Sequence, residues 1–392
     1  MNHERVASAM REARLDALLA TTYENVHYLG GPLSASLKLF PRDAQVYALV
    51  KSDRLAEPCL VAGIGDMDTL AAMDVPMTTV SYGKFFRQVD RSATLSQVER
   101  RVVDWGIDRP PLGSSAEALI AAIRENGLPG CRIGYDQLAP AVLEQVTEAF
   151  GSSLLVPAGP LFKEARLHKT GAEVELLRSS AQITEDAIQA AVAIAREGTT
   201  EIEMAIAFNR HLVEQGSDPV VAFIRFGANG GVSQVPASNT PLKHRDLIWF
   251  DVCGAYRGYQ SDLARTFALG DPGARARDYY SALLAAEEAA IEAARPGARA
   301  VEVFDACVAA ARANGIPHYR RHHVGHGIGL EVYEAPLLAP GQELELFDGM
   351  VLNVEAPYYE VGFGAIHVED PIRVGRHGNE LLTRTSRELV VL

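Results

Sequence analysis

The sequence is sparing with the features that most often declare a protein's chemistry. Its four cysteines, Cys59, Cys131, Cys253 and Cys307, are scattered over 392 residues and form no CxxC pair. That spacing gives no zinc-ribbon or disulfide framework and suits free thiols in a reducing cytoplasm. Cys253 reads as core packing. No GxGxxG and no phosphate-binding loop occurs, so a nucleotide cofactor has no support. The most apolar helical stretch, Ala187 to Ala195, is far too short to span a bilayer. The start, Met1-Asn2-His3-Glu4-Arg5, is polar and leads into no apolar signal core, and a cytoplasmic location is expected. Positive charge is also scarce: 37 Lys and Arg face 50 Asp and Glu, a formal net charge of −13. Such a balance argues against nucleic acid or an anionic membrane surface as partner.

What is present is the composition of a globular protein, 48% hydrophobic and 22% charged. A chain of this length is expected to form two domains. The first part alternates short apolar strands (Leu15–Ala20, Cys59–Gly63, Arg132–Asp136) with helical patterns near 97–106, 115–126 and 139–150. That alternation predicts an α/β domain with a partly parallel sheet. Two prolines and a glycine punctuate Ser153–Pro160, and the boundary is placed at 163/164. Beyond it, Thr170 with Glu173 and Thr200 with Glu203 are capping boxes that open two helices. A strand hairpin, helices near 274–295 and 301–314, and several short strands follow. Helices first and antiparallel strands around them predict an α+β domain for 164–392.

The hairpin, Leu247–Phe267, carries Asp251 and Asp262 around the turn-prone Gly254-Ala255-Tyr256-Arg257-Gly258. With Tyr256 and Arg257 at the tip, the two aspartates are directly opposed on one face, with Cβ atoms roughly 4.5–5.5 Å apart. Alone, the pair reads as a turn residue and a solvated strand-edge residue. Two carboxylates held that close also match the spacing of a pair of divalent cations, about 3.5–4 Å. Three later stretches add metal-type donors: His322-His323-Val324-Gly325-His326, Leu352-Asn353-Val354-Glu355 and His367-Val368-Glu369. A carboxylate closing an apolar run must be paired or metal-bound, because burying an isolated charge costs several kcal/mol.

Taken together, FDVCGAYRGYQSDLARTF, HHVGHGIGLEVYE, LNVEAPYY and HVEDPIRV resemble the methionine aminopeptidase, prolidase and aminopeptidase P family, the "pita-bread" hydrolases. The resemblance covers the chain from about Lys169 to its end, and a first α/β domain is what prolidases and creatinases also carry. It implies a pita-bread catalytic domain and two divalent ions, Mn²⁺ by donor type, with Co²⁺, Zn²⁺ or Fe as alternatives. Asp251 would hold one ion, Asp262 and Glu369 would bridge both, and His326 and Glu355 would complete the second. A hydroxide bridging the metals would attack an amide or peptide carbonyl. Glu355 would take its proton and His322 would steady the oxyanion. A homodimer is implied too, with Phe40 or Tyr82 reaching a substrate.

Three positions depart from the peptidase pattern, which has two histidines and an arginine where this chain has Tyr333, Gln234 and His367. These are the candidate substrate-binding residues. A Xaa-Pro peptidase of prolidase type acting on a short peptide is the first reading. The second is a specialised enzyme on the same fold, like creatinases, ectoine hydrolases or a dimethylsulfoniopropionate lyase, acting on a small solute. The third is a binding protein without catalysis.

Overall fold

The computed structural model describes residues 1–392 in two compact units, Met1–His168 and Lys169–Leu392. In the first, strands β1 (Ala17–Ala20), β2 (Tyr47–Lys51), β3 (Arg54–Gly63), β4 (Thr78–Tyr82), β5 (Ile133–Tyr135) and β6 (Leu155–Pro157) form one sheet. Their order is β4-β3-β2-β1-β5-β6. The pairs β3–β4, β1–β5 and β5–β6 are parallel, whereas β1–β2 and β2–β3 are antiparallel, which gives the mixed sheet expected. Helices Ser115–Glu125 and Pro140–Phe150 bury Leu119, Ile123, Val142 and Val146 against Leu19, Leu49 and Val61.

Strands β2, β4 and β6 escaped the sequence reading. Strand β6 holds Pro157 at the sheet edge, where the missing N–H breaks no ladder, so a punctuation signal and a strand coincide there. Helix Gly159–Leu167 stays with the first unit: Phe162, Ala165 and Leu167 are buried, and the Tyr28 hydroxyl donates to Ala165 O at 3.2 Å. This unit accordingly reaches His168 rather than residue 163. Tyr82 lies on a strand, not in a loop, and its hydroxyl donates to Gln45 O. Phe40 is exposed.

The second unit opens with helices Gly171–Val192 and Glu201–Glu214, and both expected capping boxes are formed. Helices Ala274–Ala293 and Ala300–Ala313 follow the hairpin. The strands are β7 (Asp218–Phe226), β8 (Leu247–Tyr256), β9 (Tyr259–Ala268), β10 (Gly325–Gly327), β11 (Glu334–Leu337), β12 (Val351–Glu355), β13 (Tyr358–Glu360), β14 (Gly364–Ile366) and β15 (Glu369–Arg373). The sheet runs β11-β10-β12-β15-β9-β8-β7, antiparallel at every step. Helix Gly171–Val192 covers one face: Thr184 Oγ1 meets Ser261 Oγ at 2.7 Å, and Arg265 reaches toward Glu185 at 3.9 Å. Side chains alternate along a strand, so Asp262 and Ala264 point to the opposite face.

The hairpin register corrects the sequence reading. Tyr256 pairs with Tyr259, which puts Arg257-Gly258 at the tip, one residue later than expected. Both tip residues are left-handed, with φ of 51° and 85°. That is the two-residue primed turn whose twist matches the flanking strands. Asp251 therefore faces Ala264, and Asp262 faces Cys253. The two aspartates are diagonal neighbours on one face instead of direct partners.

Replacing Gly258 with Val should destabilise this unit by about 1–2 kcal/mol, the cost of a β-branched residue in left-handed backbone. Urea unfolding would measure it, and an unchanged midpoint would show that the turn is not held in this geometry.

Candidate metal centre

Register places the expected donors. Asp251 on β8, Ala264 on β9, Glu369 on β15 and Glu355 on β12 are successive cross-strand partners, one row across four strands. Asp262 and Asn353 lie two residues from this row on the same face. His326 on β10 pairs with Asn353. Five donors from five strands thus project on one face, and Ala264, in the middle of the row, keeps space open among them.

The glycines beside His326 have a steric reason. A Cβ at Gly325 would sit 2.1 Å from Asn353 O, and one at Gly327 2.1 Å from Ala335 O. Only a bare backbone lets β10 fit between β11 and β12. His326 Nδ1 donates to Gly327 O at 3.0 Å, which turns Nε2 toward the acids, 3.5 Å from Asp262 Oδ2. Nε2 is buried with no hydrogen bond, and so is Glu369 Oε2. Asn353 Nδ2 donates to the other oxygen, Glu369 Oε1, at 2.6 Å. Behind the row, Arg265 donates to Glu369 O at 2.7 Å and to Asp370 Oδ1 at 2.6 Å, locking β9 to β15.

The donor atoms fall into two groups, Asp262–His326–Glu369 and Glu355–His367–Glu369, each with its atoms within 4.8 Å of one another. Glu369 belongs to both. Orphaned buried lone pairs, one shared carboxylate and a hard oxygen-rich donor set fit divalent cations. Electrostatics agree. Burial, then repulsion from Asp262 and Glu355, drives the Asp251 carboxyl well above its ordinary pKa, with Arg321 opposing. Burial and the same neighbouring acids do likewise at Glu369. Glu355 goes the other way: burial opposes ionisation, but contacts from His323 and His367 outweigh it and hold it well below the ordinary value.

The remaining sequence candidates are distributed unevenly. His367 is buried, with Nε2 3.2 Å from Glu355 Oε2 and 3.8 Å from Glu369 Oε2, so it sits among the donors. Tyr333 stacks on the His326 ring, centroids 3.7 Å apart. Gln234 is exposed on the segment after β7. His322 is exposed and packs edge-on against His323, whose Nδ1 approaches Glu355 Oε1 at 2.8 Å. Cys253 is not mere core packing. Its thiol donates to Asp262 Oδ1 at 3.1 Å, and burial with the nearby acids pushes its pKa well up, so it stays protonated.

Asn353 and Ala264 were missed in the sequence, and His323 was read only as one of three histidines in the donor stretch, without its contact to Glu355. Asn353 could have been found by parity, two residues before Glu355 on one strand. The wall formed by Trp249, Tyr359 and His367 could not, because its rings come from three strands or their ends. Trp249 meets Tyr359 edge-on at 5.8 Å and stacks on His367 at 6.5 Å.

Comparison with known proteins sets these residues in context. The profile of metallopeptidase family M24 matches residues 175–376, and that of the creatinase/prolidase N-terminal domain matches 3–168. The chain belongs to metallopeptidase family M24 and is a metal-dependent hydrolase with the pita-bread fold. A Xaa-Pro dipeptidase of Pyrococcus furiosus is 33% identical over 233 residues, which are 59% of this chain and 67% of that one. A Xaa-Pro dipeptidase of Lactobacillus delbrueckii subsp. lactis is 34% identical over 58% of this chain and 62% of its own length. The structure of a Xaa-Pro dipeptidase from Bacillus anthracis superposes with a TM-score of 0.79 at 24% identity, covering 100% of this chain and 99% of that one.

A carboxyl whose folded pKa is raised gives stability that is present below its unfolded value near 4 and lost as pH rises through the folded value. Without metal, Asp251 should therefore weaken the protein at pH 7–8, and Asp251→Asn should stabilise it by about 1 kcal/mol or more, one pKa unit being 1.36 kcal/mol. Urea unfolding in chelator from pH 5 to 8 tests this. A variant no more stable than the parent at pH 8 would refute it.

Proposed function

We propose that this chain is a dinuclear metal-dependent peptidase of prolidase type, cleaving the amide bond of short Xaa-Pro peptides. The observation that carries the reading is Glu369, one buried carboxylate shared by two donor groups. Asp251, Asp262, His326, Glu355 and Glu369 would hold two divalent cations, with Mn²⁺ best suited to the donors. Bound there, the metals would polarise the substrate carbonyl and acidify a water.

The protein's own residues do the rest. Glu355, kept ionised by His323 and His367, accepts the proton from the attacking water. His322, though exposed, has its pKa lowered by partial desolvation, His323 and Arg321, so its neutral ring is available to donate to the developing oxyanion from the solvent side. Tyr333, more than half exposed, is kept as a neutral phenol by partial desolvation and the four surrounding acids, and offers a hydrogen bond beside His326 without titrating. His367 and Tyr359 close the opposite wall.

A second reading is favoured by Gln234, Tyr333 and His367: a specialised enzyme on the same fold that acts on a small solute. Ring stacking of Tyr333 on His326 fills a place that the peptidase pattern gives to histidine.

The two readings part on a substrate panel. Protein stripped and reloaded with Mn²⁺ or Co²⁺ should bind about two ions per chain and hydrolyse several Xaa-Pro dipeptides. Asp262→Asn should abolish both the metal binding and the turnover. Stoichiometric metal with turnover of a small solute alone would support the specialised enzyme, and no metal uptake would defeat both.

A further inference from the structure

Arg321 is a cation to which the proposed chemistry gives no ligand, only a field felt at His322 and Asp251. It lies on the connection between helix Ala300–Ala313 and β10, immediately before His322 and His323. The connection is pinned on both sides. Arg312 Nε donates to Tyr319 O at 3.0 Å, Val324 N donates to Leu338 O at 2.9 Å, and Glu355 N donates to Val324 O at 3.1 Å. The guanidinium lies over the Tyr359 ring, 5.5 Å from its centroid. That ring is 6.3 Å from the His367 ring, which in turn touches Glu355. Arg321 therefore stands at the wall of the donor cluster, only partly covered.

It is also unspent. The buried ion pairs of this unit use Lys169, Arg225, Arg265 and Arg387. Arg321 Nε is buried without a hydrogen-bond partner. A rigid guanidinium, stacked on an aromatic face and held by a fixed backbone, is organised for planar bidentate recognition of a carboxylate. Around it are acids that would repel an anionic substrate, so a cation is needed where such a group enters. His367, the other basic group on this wall, is engaged with Glu355 and Glu369.

We infer that Arg321 is a specificity-determining residue that binds the carboxylate of the substrate, docking it against Tyr359 and Trp249. The ligand is a short peptide with a free C-terminal carboxylate or a small carboxylic acid; the shared chemistry is the carboxylate. The inference deepens the hydrolase reading and rests on it for the identity of the scissile bond.

The test compares metal-loaded parent, Arg321→Met and Arg321→Lys on a Xaa-Pro dipeptide and its C-terminal amide. Binding of L-proline and L-prolinamide is followed by calorimetry. Loss of one charge-assisted contact should raise KM for the acid about 10- to 100-fold in Arg321→Met, with kcat and the amide's KM changed far less. Arg321→Lys should recover part of the loss. L-proline binding should weaken in parallel and L-prolinamide binding should not. Equal effects on acid and amide, or none, would overturn the inference, and unchanged metal content would exclude misfolding. If no variant, parent included, turns over peptides, the peptidase reading fails. The Arg321 assignment then stands or falls on calorimetry with a series of small carboxylic acids and their amides. Arg321-dependent binding confined to the acids supports it, and its absence overturns it.

Discussion

The second unit is built around one electrostatic constraint: four carboxylates, three of them buried and the fourth half-buried, are held on a single face of one sheet. Left alone they repel, and burial makes the repulsion stronger. Asp251 and Glu369 respond with raised pKa values, whereas Glu355 is held ionised by two histidines. An arrangement this unfavourable to the bare protein persists where function requires it, and the two divalent cations proposed above would nearly cancel the four carboxylates. Stability and activity are in conflict at these positions.

The scaffold around the acids is built to resist that repulsion. An antiparallel ladder fixes the row through backbone hydrogen bonds that do not depend on side-chain charge. The glycines around His326 let a third strand approach closely, and Asn353 orients one oxygen of Glu369 while leaving the other free. On the far face, Arg265 and Asp370 form a buried pair whose guanidinium also grips the Glu369 carbonyl. Truncating either partner would leave an uncompensated buried charge, which typically costs 3–5 kcal/mol. Positions behind the centre thus matter to its geometry as much as those facing it.

Around the donors stand the residues for which a substrate role is proposed. Tyr333 lies flat on the His326 ring, His367 has been drawn in among the acids, and Gln234 stands exposed. An aromatic pair of Trp249 and Tyr359 with Arg321 over it puts an apolar wall and a cation beside the donor cluster. Sequence distance hides this grouping, since three whole strands, β10 to β12, lie between Arg321 and Tyr359.

Much of the protein was legible in its residues alone. Local signals are short-range, so capping boxes at Thr170 and Thr200, the four long helices of the second unit, three of the first unit's helices and the donor order from Asp251 to Glu369 could be read directly, whereas the shorter helices such as Tyr23–Tyr28 and Met67–Ala72 were not. The family likeness of FDVCGAYRGYQSDLARTF and HVEDPIRV gave the fold of the second unit. What tertiary structure decided is register and neighbourhood. A one-residue shift of the tip, to Arg257-Gly258, moved Asp251 from facing Asp262 to facing Ala264, because turn geometry follows φ values that several sequences of similar composition satisfy equally. His323, not His322, meets Glu355, and Arg321 comes to rest over Tyr359. Those outcomes depend on how strands far apart in the chain are paired, and no local pattern of residues encodes that pairing.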